Sequence, residues 1–318
     1  MSDKYIVGPS PHIKGPKSIS SIMWDVMIAL LPVTLAAVIF FGISAVLVLV
    51  TAAVTAMVVE ALVIYKNLKP ASIIGDGSSA VTGLLLGLIL PPSAPLWLVA
   101  TGSAVAILLG KQVFGGLGKN IFNPALVGRA FVGISWAALV LSRWHLPISL
   151  DKWFTPIADF TTGATPLQGA EAGLMEVFIG NIGGSLGETS TLAIVIGAAW
   201  LLFKGHIDWR IPGGFVVTAA LFALVAGSGM PLWQLPLWHV MTGSLLFGAV
   251  YMATDMVTSP VTKVGRIIFG AGCGFITLFV RLFASAPEGV TYAILFMNAL
   301  VPLIDRYTVP KTFGEVRR

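Results

Sequence analysis

Charge is what this chain is short of: Asp, Glu, Lys and Arg make up 10% of its 318 residues, against about a quarter in an ordinary soluble domain. A water-facing surface cannot be built from so few, which excludes a soluble fold. A single cysteine, Cys273, excludes an internal disulfide framework; in its Gly-rich run, Gly270 to Phe279, it reads as a small packing residue or as one ligand of a centre shared with another subunit. His12, His145, His206 and His239 are scattered without metal-ligand spacing, and no metal site is expected. No P-loop, dinucleotide fingerprint or Gly-x-Ser-x-Gly string occurs, so NAD chemistry and ATP hydrolysis belong elsewhere. The net charge of +5 is dispersed rather than striped, which argues against nucleic acid. The segment Met1 to Pro16 lacks the order of a secretory signal, so the first apolar span is expected to stay in the protein.

What the chain has is apolar length. Hydrophobic residues fill 56% of it, and a run of about 20 of them crosses a bilayer. Candidate spans run near Met23 to Phe40, Ser44 to Tyr65, Ser79 to Leu90, Leu96 to Val113, Pro124 to Leu141, Thr189 to Phe203, Gly213 to Ala226, Trp238 to Met252, Ile267 to Phe283 and Val290 to Ile304. The expectation is an all-α integral membrane protein of about ten transmembrane helices, with a cytoplasmic segment at 1–22, five spans in 23–141, an extracytoplasmic loop at 142–188, five more spans in 189–304, and a cytoplasmic tail at 305–318. Placing both termini inside leaves Lys and Arg concentrated on the cytoplasmic edges, as the positive-inside rule requires. Only Arg143, Lys152 and Arg281 fall outside.

Thr82-Gly83-Leu84-Leu85-Leu86-Gly87 returns loosely as Thr242-Gly243-Ser244-Leu245-Leu246-Phe247-Gly248, and Asn123-Pro124-Ala125-Leu126 has a fainter echo from Asn298 to Val301. With an odd number of spans per half, matched segments cross in opposite directions, the pattern of an inverted repeat, although Gly- and Leu-rich sequence also repeats by chance. The third span is too short before Pro91 to cross as a regular helix. Such broken helices line cavities or are buried in protein.

Among charged residues near the spans, Asp76 and Asp255 stand beside the broken segments. They read as solvated interfacial carboxylates, or as candidates for ion entry or for orienting a bound cofactor. Arg129, inside the fifth span, is expected to pair with a carboxylate, a carbonyl or a cofactor. Glu60 can reach the interface and needs no function.

In the outer loop, Asp159-Phe160-Thr161-Thr162-Gly163-Ala164-Thr165-Pro166-Leu167 is by itself a hydroxyl-rich turn. Thr162-Gly163-Ala164-Thr165 followed by Pro166-Leu167 resembles the flavinylation motif of the RnfD/NqrB family, the flavin-bearing membrane subunits of Rnf ferredoxin:NAD oxidoreductases and of the related sodium-pumping NADH:quinone oxidoreductases. Asp76-Gly77-Ser78-Ser79-Ala80-Val81-Thr82-Gly83, Gly110-Lys111-Gln112-Val113-Phe114-Gly115-Gly116, Asn120-Ile121-Phe122-Asn123-Pro124-Ala125-Leu126 and Ala253-Thr254-Asp255-Met256-Val257-Thr258-Ser259-Pro260 are similar to the same family, in order along nearly the whole chain. The chain's length looks more like the Rnf member.

The resemblance implies FMN joined to Thr165 by a phosphoester, a flavin transferase using FAD as donor, and riboflavin held noncovalently among the helices, with Asn123 and Arg129 as cofactor-binding candidates. It also implies an electron-relaying membrane subunit of a redox pump for Na⁺ or H⁺ in a prokaryotic inner membrane. Its partners would be a cluster-bearing ferredoxin-like subunit, an NAD-binding subunit, small membrane subunits and an outward-facing flavoprotein subunit. No catalytic residue is assigned, and the isolated chain is expected to be inactive. The alternative is a solute channel or transporter without redox role, since an inverted five-span repeat with broken helices resembles urea-transporter architecture.

Overall fold

The computed structural model describes residues 18–64, 76–141, 144–148, 153, 166, 173–226, 234–284 and 289–310. Among them the chain is helical, without strands. In order the elements are α1 (Ile19–Ile64), α2 (Ser78–Leu88), α3 (Leu96–Ile107), α4 (Pro124–Ser135), α5 (Ala137–Leu141), α6 (Leu174–Ile179), α7 (Thr191–Lys204), α8 (Arg210–Ala226), α9 (Gln234–Met241), α10 (Leu245–Phe247), α11 (Lys263–Phe283) and α12 (Gly289–Thr308). α3 and α10 each run on into a π turn, Leu108–Gln112 and Gly248–Met252.

Among the described residues three helices, α1, α11 and α12, are long and apolar enough to cross a membrane, and a fourth span results if α9 and the Leu245–Met252 segment, bent by 67° from each other, are one broken crossing. Large apolar side chains also stand on the outside, among them Leu35 at 59%, Val58 at 49% and Phe279 at 49% exposure. Lipid, not water, suits such a surface.

At 46 residues, α1 would measure about 69 Å if straight, more than twice a bilayer's hydrocarbon core. It breaks at Gly42, whose φ of 61° and ψ of −143° are non-helical and cost glycine little. A Cβ there would also lie 2.7 Å from the Trp153 carbonyl oxygen. The groups freed by the break are met by the loop: Ile43 N–H donates to Trp153 O (3.3 Å), Ile148 N–H to Phe40 O (2.9 Å), and the Trp153 indole to Val38 O (3.0 Å). Both ends of α1 come to one place, because Met23 packs beside Gly77 while Glu60 is ion-paired to Lys111, itself bonded to the adjacent Ser78. The two expected spans, Met23 to Phe40 and Ser44 to Tyr65, are therefore the arms of a hairpin.

The arms bury residues at helical spacing, Ala45, Val48, Ala52, Ala56 and Glu60 on the second arm. Small residues let backbones touch: Gly128 of α4 lies against Gly102 of α3, and Gly270 and Gly274 of α11 lie against Ile211 and Phe215 of α8. Close approach of this kind is how helices gain packing energy where no hydrophobic drive separates them from lipid. Cys273 is buried on that α11 face.

The stretch expected as a hydrophilic loop, 142–188, ends in ordered structure. α6 packs Val177 against Trp238, and the chain after it enters the core, where Leu186 and Gly187 are donors to Leu90 O (3.2 Å) and Leu88 O (2.6 Å). Those are carbonyls left without helical partners where α2 stops before Pro91.

Candidate functional site

α2, the two π turns, the first turns of α1 and the link before α4 converge on a cleft of about 120 Å³. Its walls are mostly apolar, including Met23, Val26, Val81 and Leu85, and its polar groups come from Ser78, Thr82, Lys111, Asn120, Asn123, His206, Tyr251, Thr254 and Asp255. Helices with π turns widen the backbone by one residue and recur at functional sites. Here each turns one long polar side chain, Lys111 or Tyr251, to the same cleft.

Lys111 is 1% exposed. Its Nζ lies 2.6 Å from Glu60 Oε1 and donates to Ser78 Oγ (2.6 Å). Ser78 donates its own hydroxyl proton to Asp76 Oδ1 (2.9 Å), which also accepts the Ser78 N–H (2.9 Å), and Gln112 Nε2 donates to Glu60 Oε1 (3.0 Å). Among the described residues Glu60 Oε2 is buried without a partner. Glu60, expected at the interface, is thus 3% exposed and half of a buried pair. Sequence reading placed Lys111 at the membrane edge and missed the pair; a lone acid well inside one apolar span and a lone base near the end of another were the signal for it.

A second network ties the halves together. Asn123 caps α4, its Oδ1 accepting from Ala125 N–H (3.1 Å) and Leu126 N–H (3.4 Å), and its Nδ2 reaches the second π turn at Met252 O (3.1 Å). Asn298 Oδ1 accepts from Asn123 N–H (3.2 Å) while Asn298 Nδ2 donates to Thr258 O (3.0 Å). Thr258 Oγ1 in turn donates to Asp255 Oδ2 (3.1 Å), whose Oδ1 accepts from Val257 N–H (3.2 Å). The two asparagines of the faint sequence echo are therefore bonded partners.

Of the candidates, Asn123 and Asp255 line the cleft and Asp76 stands behind Ser78. Arg129 is not among the residues lining the cleft; its Nε donates to Ile89 O (3.1 Å), another carbonyl at the broken end of α2. Thr162, Gly163, Ala164 and Thr165 lie outside the described residues. Beyond the cleft, Asp208 in the link between α7 and α8 is under opposing influences: burial raises its pKa, but the Arg210 N–H and the Arg266 and Arg210 side chains outweigh that and hold it below the usual value.

Residues 6–314 match the model of the NQR2, RnfD, RnfE family. The chain is 42% identical over 320 residues to the D component of the Na(+)-translocating ferredoxin:NAD(+) oxidoreductase complex of Acetobacterium woodii, covering 98% of this chain and 96% of that one. It is 40% identical over 332 residues to the D component of the proton-translocating ferredoxin:NAD(+) oxidoreductase complex of Clostridium ljungdahlii, covering 98% and 97%. To the B component of the Na(+)-translocating NADH-quinone reductase of Pseudomonas aeruginosa it is 42% identical over 246 residues, covering 72% of this chain and 59% of that one.

Proposed function

Because the chain belongs to the NQR2, RnfD, RnfE family, we propose that it is the RnfD-type membrane subunit of an ion-translocating ferredoxin:NAD⁺ oxidoreductase complex. It works there as a flavin-bearing electron relay coupled to movement of Na⁺ or H⁺. The similarity to the D components of such complexes along 98% of the chain carries this reading. Relatives with either ion in their names are similarly identical, so the coupling ion is not implied by the match.

The architecture behind this function is two inverted five-helix repeats, about ten spans in all, with both termini cytoplasmic and the loop at 142–188 outside. Partners are the cluster-bearing, NAD-binding, small membrane and outward-facing flavoprotein subunits, and a flavin transferase. FMN is esterified to Thr165. The cleft suits the isoalloxazine ring of the second flavin, riboflavin: apolar walls for the ring faces, and Asn120, Asn123 and Thr254 to hold its polar edge. Bound flavins supply one- and two-electron transfer.

The chain's own part is electrostatic and mechanical. A positive Lys111 behind the cleft favours an electron-rich occupant, and Glu60 compensates that charge when the cleft is neutral. Asn123 and Asn298 link the cleft wall to both halves, so that a change there is felt by α4, the second π turn and α12 together.

Replacing Thr165 by Ala removes the hydroxyl that accepts the phosphoryl group. Denaturing-gel fluorescence of the chain taken from its native complex should show a flavin band in the wild type and in Thr161→Ala, and none in Thr165→Ala. A band persisting in Thr165→Ala would refute the assignment, and a colourless wild-type chain would favour the solute-transporter alternative.

A further inference from the structure

Among the described residues three atoms of charged side chains are buried without a hydrogen-bond partner: Nε and Nη2 of Arg281, and Oε2 of Glu60. Arg281 keeps one bond, from Nη1 to His239 O (2.9 Å), and is not among the residues lining the cleft. Glu60 is separated from the cleft by a single side chain. The Lys111 ammonium has three donors; Glu60 Oε1 (2.6 Å) and Ser78 Oγ (2.6 Å) take two, and Lys111 itself lines the cleft. The lysine therefore stands between a carboxylate with one oxygen unfilled and the space where an occupant binds.

The charged groups around this pair are engaged elsewhere. Asp255, which also lines the cleft, accepts at both oxygens, from Val257 N–H and Thr258 Oγ1. Asp76 accepts twice at Oδ1, from the N–H and the hydroxyl of Ser78. On the first arm of α1, Asp25 is held by His206 (2.7 Å) and Lys204 (3.6 Å). Gln112 Nε2 donates to the Glu60 oxygen that Lys111 already holds, Oε1 (3.0 Å). Oε2 is the open acceptor beside the cleft.

An electron added to a low-dielectric cleft is stabilised when a positive charge arrives with it. Lys111 alone cannot supply that charge, because Glu60 already balances it and the pair is neutral. Protonating Glu60 makes the pair positive without moving any helix, and leaves a neutral acid in place of an uncompensated buried carboxylate, which would be costly. Hard metal cations gather about six or more oxygens, whereas Oε2 offers one lone-pair site, which suits a proton. We propose that Glu60 is a redox-linked proton site, taking up a proton at Oε2 when the occupant of the cleft gains an electron. This rests on the flavin reading above. The electron comes from the reductant of the complex and the proton from solvent; an O–H bond forms at Glu60, its ion contact with Lys111 becomes a hydrogen bond, no covalent bond breaks, and the total charge of cleft and pair is unchanged.

The test is the reduced-minus-oxidised infrared difference spectrum of the intact complex, recorded in H₂O and D₂O. The wild type should show a protonated-carboxyl C=O band that appears on reduction and shifts in D₂O. Glu60→Gln should lose that band while visible absorption shows flavin retained, an outcome that a purely structural ion pair would not produce. Lys111→Met should lose it as well, because a carboxyl buried without its cation is protonated before reduction. No such band in the wild type, or a band surviving in Glu60→Gln, would overturn the proposal. Where Glu60→Gln does not assemble, Glu60→Asp decides: a band at a new frequency supports the site and an unmoved band overturns it. Acid extraction of noncovalent flavin tests the flavin reading separately. Without flavin in the wild type that reading fails, and the difference spectrum still decides whether Glu60 takes up a proton when the complex is reduced.

Discussion

The two π turns hold matching places and opposite chemistry. Each ends an apolar helical segment, each is followed by an irregular link, and each link delivers a capped helix, α4 by Asn123 and α11 by Thr262. The first carries the charged Lys111, paired with Glu60; the second carries the neutral Tyr251, whose hydroxyl donates to Ala29 O (3.0 Å). A widened turn is thus a backbone device for putting a long side chain into the cleft, and it does not dictate which. The first π turn thus gives the cleft a charged side chain and the second a neutral one, with Asp255 just beyond the second turn.

The comparison breaks most readily at Lys111. Lys111→Met leaves Glu60 buried and unpaired and should cost about 3 to 5 kcal/mol, read as the shift in reversible SDS unfolding in mixed micelles. Adding Glu60→Gln should recover most of the loss. A loss no larger than that of a neutral partner would mean that the pair is solvated and that the two π turns differ little in what they place there.

The link between the halves comes next. Asn123→Ala and Asn298→Ala should each cost about 1 to 3 kcal/mol by leaving buried backbone groups unmet, and the double variant should fall short of the sum by about 0.5 to 3 kcal/mol, as bonded neighbours do. Strict additivity in the same unfolding experiment would show that the halves are not coupled through this contact.

The smallest effect belongs to the second π turn. Tyr251→Phe removes the hydroxyl shared between Ala29 O (3.0 Å) and Ile194 O (3.5 Å) and keeps the ring, so its cost should be about 1 kcal/mol. Its effect on the absorption maximum of a cleft-bound flavin should also be smaller than that of Lys111→Met. The reverse order in the spectrum would give the stronger polarising role to the second π turn.

Much of this was legible in the sequence because lipid imposes simple rules. The short third span before Pro91 is the helix α2, whereas the eighth, read as one span from Trp238 to Met252, is bent between Met241 and Leu245. Correspondence between the halves was only half legible. Thr82-Gly83 lies within the unbroken α2 while Thr242-Gly243 falls at the bend after α9, so that echo joins unlike places, and the π turns, starting at Leu108 and Gly248, are 140 residues apart whereas Thr82 and Thr242 are 160 apart. Local composition in Gly- and Leu-rich sequence carries too little information to register two helices, whereas a π turn is a backbone event.

By itself the sequence determined that the chain must live in lipid, that the helix before Pro91 stops short, and which family motifs it carries, since apolar length, proline and short motifs act locally. Only the tertiary structure decided who meets whom. It paired Glu60 with Lys111 and Asn123 with Asn298, gave Arg129 the carbonyl of Ile89, and left an edge of Arg281 unfilled. Those outcomes depend on residues 40 to 175 positions apart, and a buried polar group takes whichever partner the packing brings within hydrogen-bond distance.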